Sequence, residues 1–199
     1  MKPTARIVLL AIGAGALGLV ASLLTTGPGP LLRTESGQRL LGAVLSARAP
    51  DTPAGLMVAT PGRAIPDLAL TDLQGRRVSL TVSTYRGRPL LINLWASWCA
   101  PCIREMPELQ AFSRQQGDNG IQVVGIALDD PAAVRAFLGR VRVTYPVLID
   151  TPGTSDAGVR LGNTAGVLPY SVLVAPDGVL LKQRIGPFAP GEIRHWSEP

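Results

Sequence analysis

The stretch Asn93-Leu94-Trp95-Ala96-Ser97-Trp98-Cys99-Ala100-Pro101-Cys102 contains both cysteines of this 199-residue chain. Residues 90–95 form a continuous apolar run, and residues 99 to about 116 follow with apolar side chains at helical spacing. A short apolar run bounded by turn residues is typical of a buried strand, and spacings of three and four residues are typical of an amphipathic helix. The cysteine pair is therefore predicted to lie where a buried strand passes into a helix.

The alternation of short apolar runs with helical patterns continues on both sides of this stretch, from about residue 61 to the end. Gly75 and Pro176-Asp177-Gly178 separate neighbouring apolar runs and predict a hairpin at each end of the domain. Asp129 or Asp130 is the predicted cap of a helix with Pro131 in its first turn. Strands that alternate with helices predict an α/β fold with a mixed sheet. The predicted strands are 68–71, 77–80, 90–95, 121–128, 147–149, 171–175 and 179–185, and the predicted helices are 99–116, 131–140 and 156–161.

The amino terminus has the features of an export signal. Residues 7–24 are uncharged and rich in Leu, Ala, Gly and Val, and Lys2 and Arg6 precede them. Eighteen such residues reach the lower limit for crossing a bilayer, whereas the apolar core of a cleaved signal peptide is usually shorter. This length favours a signal anchor over residues 1–25, with a cleaved signal peptide as the alternative. The short tail favours a cytoplasmic amino terminus, with a single span in the cytoplasmic membrane and the domain on the outer, periplasmic face.

Residues 26–60 contain several Pro and Gly pairs that interrupt regular structure, and we predict a linker there, followed by one domain over 61–199. An apolar stretch at 40–45 within the linker is compatible with a short helix of unassigned role. The formal net charge is +5, but residues 61–199 carry fourteen basic and twelve acidic side chains. Without a basic cluster along a helix, no nucleic-acid partner is expected.

Two cysteines three residues apart fit a redox dithiol, half of a zinc site, a structural disulfide or inert core cysteines. A structural zinc site needs four ligands, and His195 is the only other Cys or His in the chain, so no metal is expected. A structural disulfide stabilises by closing a long loop, and this separation closes almost none. Both of these readings are disfavoured, whereas the redox reading makes predictions about placement that the sequence meets.

A redox dithiol needs an attacking thiolate and a nearby second thiol. At the start of a helix, Cys99 would lie beside unpaired N–H groups and the positive end of the dipole, which stabilise a thiolate and lower its pKa. Cys102 follows one turn later, close enough to attack a mixed disulfide. Pro101 fits the first turn of the helix because its missing N–H would have no helical partner there.

Residues 93–107, which continue as Ile103-Arg104-Glu105-Met106-Pro107, resemble the active-site segment of the TlpA/ResA/CcmG group of thioredoxin-like proteins. The resemblance extends over about residues 61–190, including an insertion at 129–150. It implies a thioredoxin-like mixed central sheet flanked by helices, with an N-terminal hairpin and a central helix–strand insertion. Members of the group are exported, usually anchored thiol:disulfide oxidoreductases that reduce protein disulfides, often in cytochrome c maturation or copper-site assembly.

The resemblance assigns roles to individual residues. It makes Cys99 the attacking thiol and Cys102 the resolving thiol, and it places Asn93 where cytoplasmic thioredoxins keep a buried Asp. A base rate of about 5 to 6% favours a trans bond before any proline. Thioredoxin-like folds nevertheless place a cis-proline opposite the cysteines, which implies a cis bond at Pro169.

Three further residues belong to the predicted substrate surface, together with Pro169. Leu168 would offer backbone groups to a substrate strand, in the manner of strand addition. Trp95 and Trp98 are predicted to be packing residues first, with Trp98 also at the edge of the substrate groove. Pro101 completes this surface. Pro107 is predicted to kink the helix without a chemical role.

Glu105 shares a helical stripe with Cys102, because the residues at 102, 105, 109 and 112 are spaced by three, four and three. Its carboxylate would then lean toward the core, where partial burial raises the pKa and permits proton exchange with the cysteines. The alternative is an exposed glutamate at the edge of the stripe. The resemblance favours the functional role, since the group has an acidic residue three positions after the second cysteine.

The resemblance implies no cofactor beyond the Cys99–Cys102 disulfide. It implies client proteins such as apocytochrome c or copper chaperones, and a membrane thiol reductant of the CcdA/DsbD type. Two other functions remain as alternatives: a thiol peroxidase of the redoxin type, and a Cu(I)-binding protein that uses the reduced cysteine pair. Ile92 and Ala96 occupy the positions where peroxiredoxins have Pro and Thr, which disfavours the peroxidase.

Overall fold

The computed structural model describes residues 34–80, 87–117 and 119–198. It divides the chain into two units, Met1–Ala43 and Val44–Pro199. The predicted anchor at residues 7–24 lies outside the described residues. Within the described part of the chain, no helix has the length and apolar character needed to cross a membrane.

Helix α1, Glu35–Ser46, occupies part of the segment predicted to be a linker. The helix is longer than the one suggested at 40–45, and the prolines of the segment lie outside it. Thr34 begins it, with its hydroxyl accepting a hydrogen bond from the N–H of Gly37 at 3.0 Å. None of its residues is buried.

The larger unit is built on a seven-stranded sheet with the order β2-β1-β5-β4-β3-β6-β7. Strands β3, β4 and β5 are parallel, and the remaining neighbours are antiparallel, so the predicted mixed α/β fold is confirmed. The strands are β1 (Leu68–Asp72), β2 (Arg77–Leu80), β3 (Leu90–Trp95), β4 (Gln122–Leu128), β5 (Val147–Asp150), β6 (Tyr170–Val174) and β7 (Leu180–Ile185). The helices that follow α1 are α2 (Ala100–Gln115), α3 (Pro131–Leu138), α4 (Ala157–Arg160) and α5 (Glu192–Trp196).

The strand that leads to the cysteines is the centre of this sheet. All six residues of β3 are buried, and it pairs with β4 on one side and β6 on the other. The predicted insertion supplies α3 and then β5, which enters the sheet between β4 and β1. Because β3 and β4 are parallel, their carboxyl ends lie at the same edge of the sheet, where the cysteine segment and the start of α3 follow them.

The two faces of the sheet carry separate apolar clusters. Alternation along β3 directs Leu90, Ile92 and Leu94 to one face, and Leu91 and Trp95 to the other. Both cysteines belong to the second cluster, together with buried residues of α2, α3 and α5. The cysteine-bearing helix therefore packs on the face that Asn93 shares with Leu91 and Trp95.

Most predicted boundaries agree with the structure to within two residues. Helix α3 ends at Leu138 rather than near Arg140, and Gly139 is its C-cap. Its N-cap is Asp130, whose carboxylate accepts hydrogen bonds from the N–H groups of Ala132 and Ala133.

Candidate active site

The cysteines form a disulfide at the start of α2, with their Cα atoms 5.3 Å apart. Cys99 is the N-cap of the helix rather than its first residue, and its sulfur accepts a hydrogen bond from the N–H of Cys102 at 3.3 Å. Pro101 is in the first turn, as predicted. The sulfur of Cys99 thus takes the position in which a capping side chain satisfies an unpaired helix N–H, which is the geometry that stabilises a thiolate.

The three residues at this corner differ in access to solvent. Cys102 is fully buried, Cys99 is 5% exposed and Trp98 is 70% exposed. Trp98 was predicted to pack first, and that prediction is wrong, because β3 ends at Trp95 and the turn carries Trp98 outward. Trp95 is a packing residue, with its ring 5.5 Å from that of Phe137.

A carboxylate at the end of β4 holds the turn that precedes the cysteines. One oxygen of Asp129 accepts hydrogen bonds from the N–H and the hydroxyl of Ser97, at 2.8 and 2.6 Å. Burial alone would raise the pKa of Asp129, but these hydrogen bonds outweigh it and lower the pKa below the usual value. The sequence indicates Asp129 only as a candidate helix cap, and no local pattern marks its contact with Ser97.

Glu105 is buried beneath the first turns of α2, on the same helical stripe as Cys102, and it is only 3% exposed. One carboxylate oxygen accepts a hydrogen bond from the Asn93 amide at 2.8 Å, and the other accepts one from the N–H of Phe188 at 3.0 Å. Burial raises the pKa of Glu105 to about 7, although both hydrogen bonds and the positive charge of Arg184 act to lower it. The expectation of an inward-facing carboxylate is therefore confirmed.

Polar atoms surround Glu105 on the sheet. The Asn93 amide also donates to the hydroxyl of Ser171 at 3.0 Å, and its own oxygen has no hydrogen-bond partner in the described part of the chain. Tyr145 lies close by, and its pKa is raised by burial and then by the negative charge of Glu105. Glu105 is therefore held by donors when it is ionised, and the Asn93 oxygen can accept its proton only after the Asn93 amide rotates.

The loop between β7 and α5 is tied to this site by charged side chains. Arg184 is buried and forms an ion pair with Glu192 at 2.8 Å, and its guanidinium lies 4.8 Å from the centre of the Phe188 ring. Arg184 also donates to the carbonyl of Pro187. These contacts fix the backbone from which the Phe188 N–H reaches Glu105. The sequence gives no sign that Arg184 is buried at this site, because its ion-pair partner Glu192 lies in a different element.

Glu108 binds the same loop one turn further along α2, where its carboxylate accepts a hydrogen bond from the N–H of Gly191 at 2.7 Å. Two carboxylates of one helix therefore hold the loop before α5.

The Leu168–Pro169 peptide bond is cis, as the resemblance implies. The antiparallel pairing of Leu94 with Tyr170 puts Pro169 beside the end of β3, from which the chain runs to Cys99. Leu168 packs against the apolar cluster that contains both cysteines. Neither its N–H nor its carbonyl makes a hydrogen bond to a described residue.

The arrangement joins a helix-capping thiol, a buried second thiol and a buried carboxyl group whose pKa is about 7. Such a set can exchange a disulfide and move the accompanying proton near neutral pH. Pro107 lies inside α2 and is exposed. Across residues 34–80, 87–117 and 119–198, no group of three or more His, Cys, Asp or Glu side chains is placed to hold a metal ion.

Comparisons with known proteins agree with this geometry. The family model described as Redoxin matches residues 60–195. A thiol-disulfide oxidoreductase ResA from Bacillus thuringiensis (strain Al Hakam) is 30% identical over 128 residues, which are 63% of this chain and 69% of the relative. A ResA from Geobacillus thermodenitrificans is 30% identical over 138 residues, covering 69% of this chain and 76% of the relative.

The fold also matches solved structures. The crystal structure of a thiol:disulfide interchange protein DsbE from Chlorobium tepidum is 27% identical, with a TM-score of 0.58. The match covers 69% of this chain and 94% of that protein.

Proposed function

The chain belongs to the redoxin family and is a thiol:disulfide oxidoreductase, and from this premise we propose that Cys99 attacks, Cys102 resolves and Glu105 carries the proton. The observation that carries the proposal is the position of the Cys99 sulfur at the N-cap of α2, with Cys102 and Glu105 buried behind it. No cofactor is needed beyond the Cys99–Cys102 disulfide.

The reaction starts from the reduced dithiol. The thiolate of Cys99 attacks one sulfur of a client disulfide, so that a mixed disulfide forms and the other client sulfur leaves as a thiolate. The thiol of Cys102 then loses its proton and attacks the Cys99 sulfur, which releases the second client thiol. Two electrons pass to the client and Cys99–Cys102 becomes a disulfide.

Burial supports this order of attack. Cys102 is fully buried, whereas Cys99 keeps some exposure, so a client sulfur can reach only Cys99. Glu105 lies one helical turn after Cys102, and a carboxyl group with a pKa of about 7 can accept the proton of Cys102 and return it near neutral pH. Asn93 holds that carboxylate by a hydrogen bond from the strand below.

Clients would bind around the exposed side of the disulfide. Trp98 supplies an exposed aromatic surface beside Cys99, and Pro101 is partly exposed in the next turn. The N–H and carbonyl of Leu168, which have no hydrogen-bond partner among the described residues, can pair with an extended client segment. The cis bond to Pro169 positions them. A client strand held this way would present its disulfide to Cys99.

The direction of electron flow is proposed to be reduction of clients. Reductants and oxidants with this motif differ by more than about 100 mV, from about −270 mV for thioredoxin to about −120 mV for DsbA. We expect the Cys99/Cys102 couple, equilibrated with glutathione and quantified by alkylation, to have a potential closer to that of thioredoxin. A value near that of DsbA would make the protein an oxidant.

Residues 7–24 support a further proposal about location. An apolar run of this length, preceded by two basic residues, favours a single-pass anchor in the cytoplasmic membrane with the domain on the outer, periplasmic face. A membrane reductant of the CcdA/DsbD type would supply electrons there, and clients would include apocytochrome c or copper chaperones. In intact cells, a membrane-impermeant maleimide should then label the reduced cysteines, and protection until lysis would contradict this location.

A further inference from the structure

A groove runs along the side of α2 that faces the segment before β5. It encloses about 410 Å³. Its lining begins at Ile103, the residue after Cys102, and ends at Arg114. Eleven helical steps span about 16 Å, which is the length of about five residues of extended chain. The lining residues are Ile103, Met106, Pro107, Gln110, Ala111, Arg114, Val141, Arg142 and Val143.

Hydrogen bonds between its two walls hold the groove open in a defined shape. The Gln110 side chain donates to the hydroxyl of Thr144 at 2.9 Å and accepts from the N–H of Thr144 at 2.6 Å. Gln110 is buried by this contact, at 7% exposure. The segment that carries Val141 and Val143 is therefore fastened to α2, and a ligand would not have to order it.

The groove is separate from the surface around the cis-proline. In the sheet, β5 and β4 lie on one side of β3, and β6 lies on the other. The wall formed by residues 141–143 leads into β5, whereas Leu168 and Pro169 lead into β6. A chain bound at Cys99 could thus contact both surfaces, one on each side of the helix.

The charge of the groove indicates what it binds. Arg114 and Arg142 line it and are exposed, and neither forms an ion pair or a hydrogen bond with any residue that the structure describes. Arg140 adds a third exposed positive charge next to Val141. None of the described residues that line the groove is acidic, so its complement is an acidic segment with apolar side chains between its charges.

We propose that this groove, which begins next to the Cys99–Cys102 pair, is a docking site for an acidic, partly apolar segment of the client protein. The proposal rests on the proposed function, because it assumes that a protein disulfide is bound at Cys99. An extended client segment of about five residues matches the length of the groove and presents both apolar side chains and carboxylates to it, whereas a flat lipid surface would offer its charges to the exposed arginines alone.

The test compares two disulfide peptides that have the same cysteine loop. One carries an appended segment with alternating Glu and Leu, and the other has Gln in place of each Glu. The full-length protein, reduced beforehand, is mixed with each peptide at low ionic strength, and the second-order rate constant for this single round of peptide reduction is measured. We expect the acidic peptide to react at least fivefold faster, and the ratio to decrease as salt is added.

The double variant Arg114→Glu, Arg142→Glu is expected to bring that ratio to one or below. The matched control Arg63→Glu, Arg77→Glu changes the net charge equally at two exposed arginines outside the groove, and it should retain the wild-type ratio. If the ratio falls equally in both double variants, overall charge explains the preference and the docking proposal is wrong. A ratio of one in the wild-type protein would also contradict the proposal.

A small aromatic disulfide separates the two proposals. If the wild-type protein reduces it but shows no preference between the peptides, the docking site is wrong and the oxidoreductase function stands. If it reduces neither the small disulfide nor either peptide, the proposed function itself fails. Binding of anionic vesicles that competes with the acidic peptide and is lost only in Arg114→Glu, Arg142→Glu would assign the groove to a membrane surface instead.

Discussion

Replacement of Cys102 by serine is expected to stop the reaction at a mixed disulfide between Cys99 and the client. Cys99 retains its position at the N-cap and its exposure, so the first attack proceeds. A serine hydroxyl cannot resolve the product, so turnover should fall on the order of a thousandfold or more. Non-reducing electrophoresis with mass spectrometry would detect the adduct, and the trapped proteins would identify the clients.

Cys99→Ser is the matched control, since it removes one sulfur from the same turn. It should lose turnover to a similar extent but form no adduct, because Cys102 is fully buried in the disulfide structure. Adducts through Cys102 would reverse the assigned order of attack. A reduced wild-type protein that binds Cu(I) tightly and reduces no protein disulfide would favour the copper-binding alternative.

Replacement of Glu105 by glutamine is expected to remove about 3 kcal/mol of pH dependence from the stability of the oxidised protein. Burial raises the pKa of Glu105 from 4.5 to about 7, so the folded chain holds this proton more tightly than the unfolded chain does. The wild-type protein therefore loses stability as the pH rises through this interval, by about 1.4 kcal/mol per pH unit. Well below pH 4.5, Glu105 is protonated in both the folded and the unfolded chain, and this loss of stability is absent.

Glutamine keeps the shape of the site but costs one hydrogen bond, because rotation of the Asn93 amide breaks its bond to Ser171, and that cost is the same at every pH. The glutamine oxygen can accept from the N–H of Phe188, and its amide can donate to the Asn93 oxygen, which has no partner in the described part of the chain, after rotation of the Asn93 amide. Urea unfolding of both proteins at pH 5 and pH 8 measures the difference. Because some of the loss has already occurred at pH 5, we expect the wild-type protein to be destabilised by roughly 2 to 3 kcal/mol relative to the variant at pH 8 compared with pH 5.

Glu108→Gln provides the control. Glu108 lies one turn further along the same helix, and a glutamine there can still accept the hydrogen bond from Gly191. Its unfolding should follow the wild-type pH dependence. If Glu105→Gln also follows it, the carboxyl group is not the source of the effect, and its proposed role in proton transfer loses its support.

The predictions that succeeded concern patterns within one element. The apolar run of β3 and the helical spacing of α2 placed the cysteines at a strand-to-helix junction, and the stripe containing Cys102, together with the family resemblance, favoured an inward-facing Glu105. Each of these features repeats with the period of its own backbone, so that neighbours in the chain are enough to reveal it. The packing prediction for Trp98 was wrong because this residue lies in a turn, where no backbone period indicates which way a side chain faces.

The tertiary structure alone decided which groups meet at Glu105. The Phe188 N–H reaches it across 83 positions of the chain, and Asn93 meets Ser171 across 78. These contacts exist because β3 pairs with β6 and β6 with β7, which brings the buried Arg184 and its loop to α2. Strand order depends on the packing of the whole sheet, so the sequence by itself determined the cysteine pair and its helix, and only the fold determined the environment that raises the pKa of Glu105.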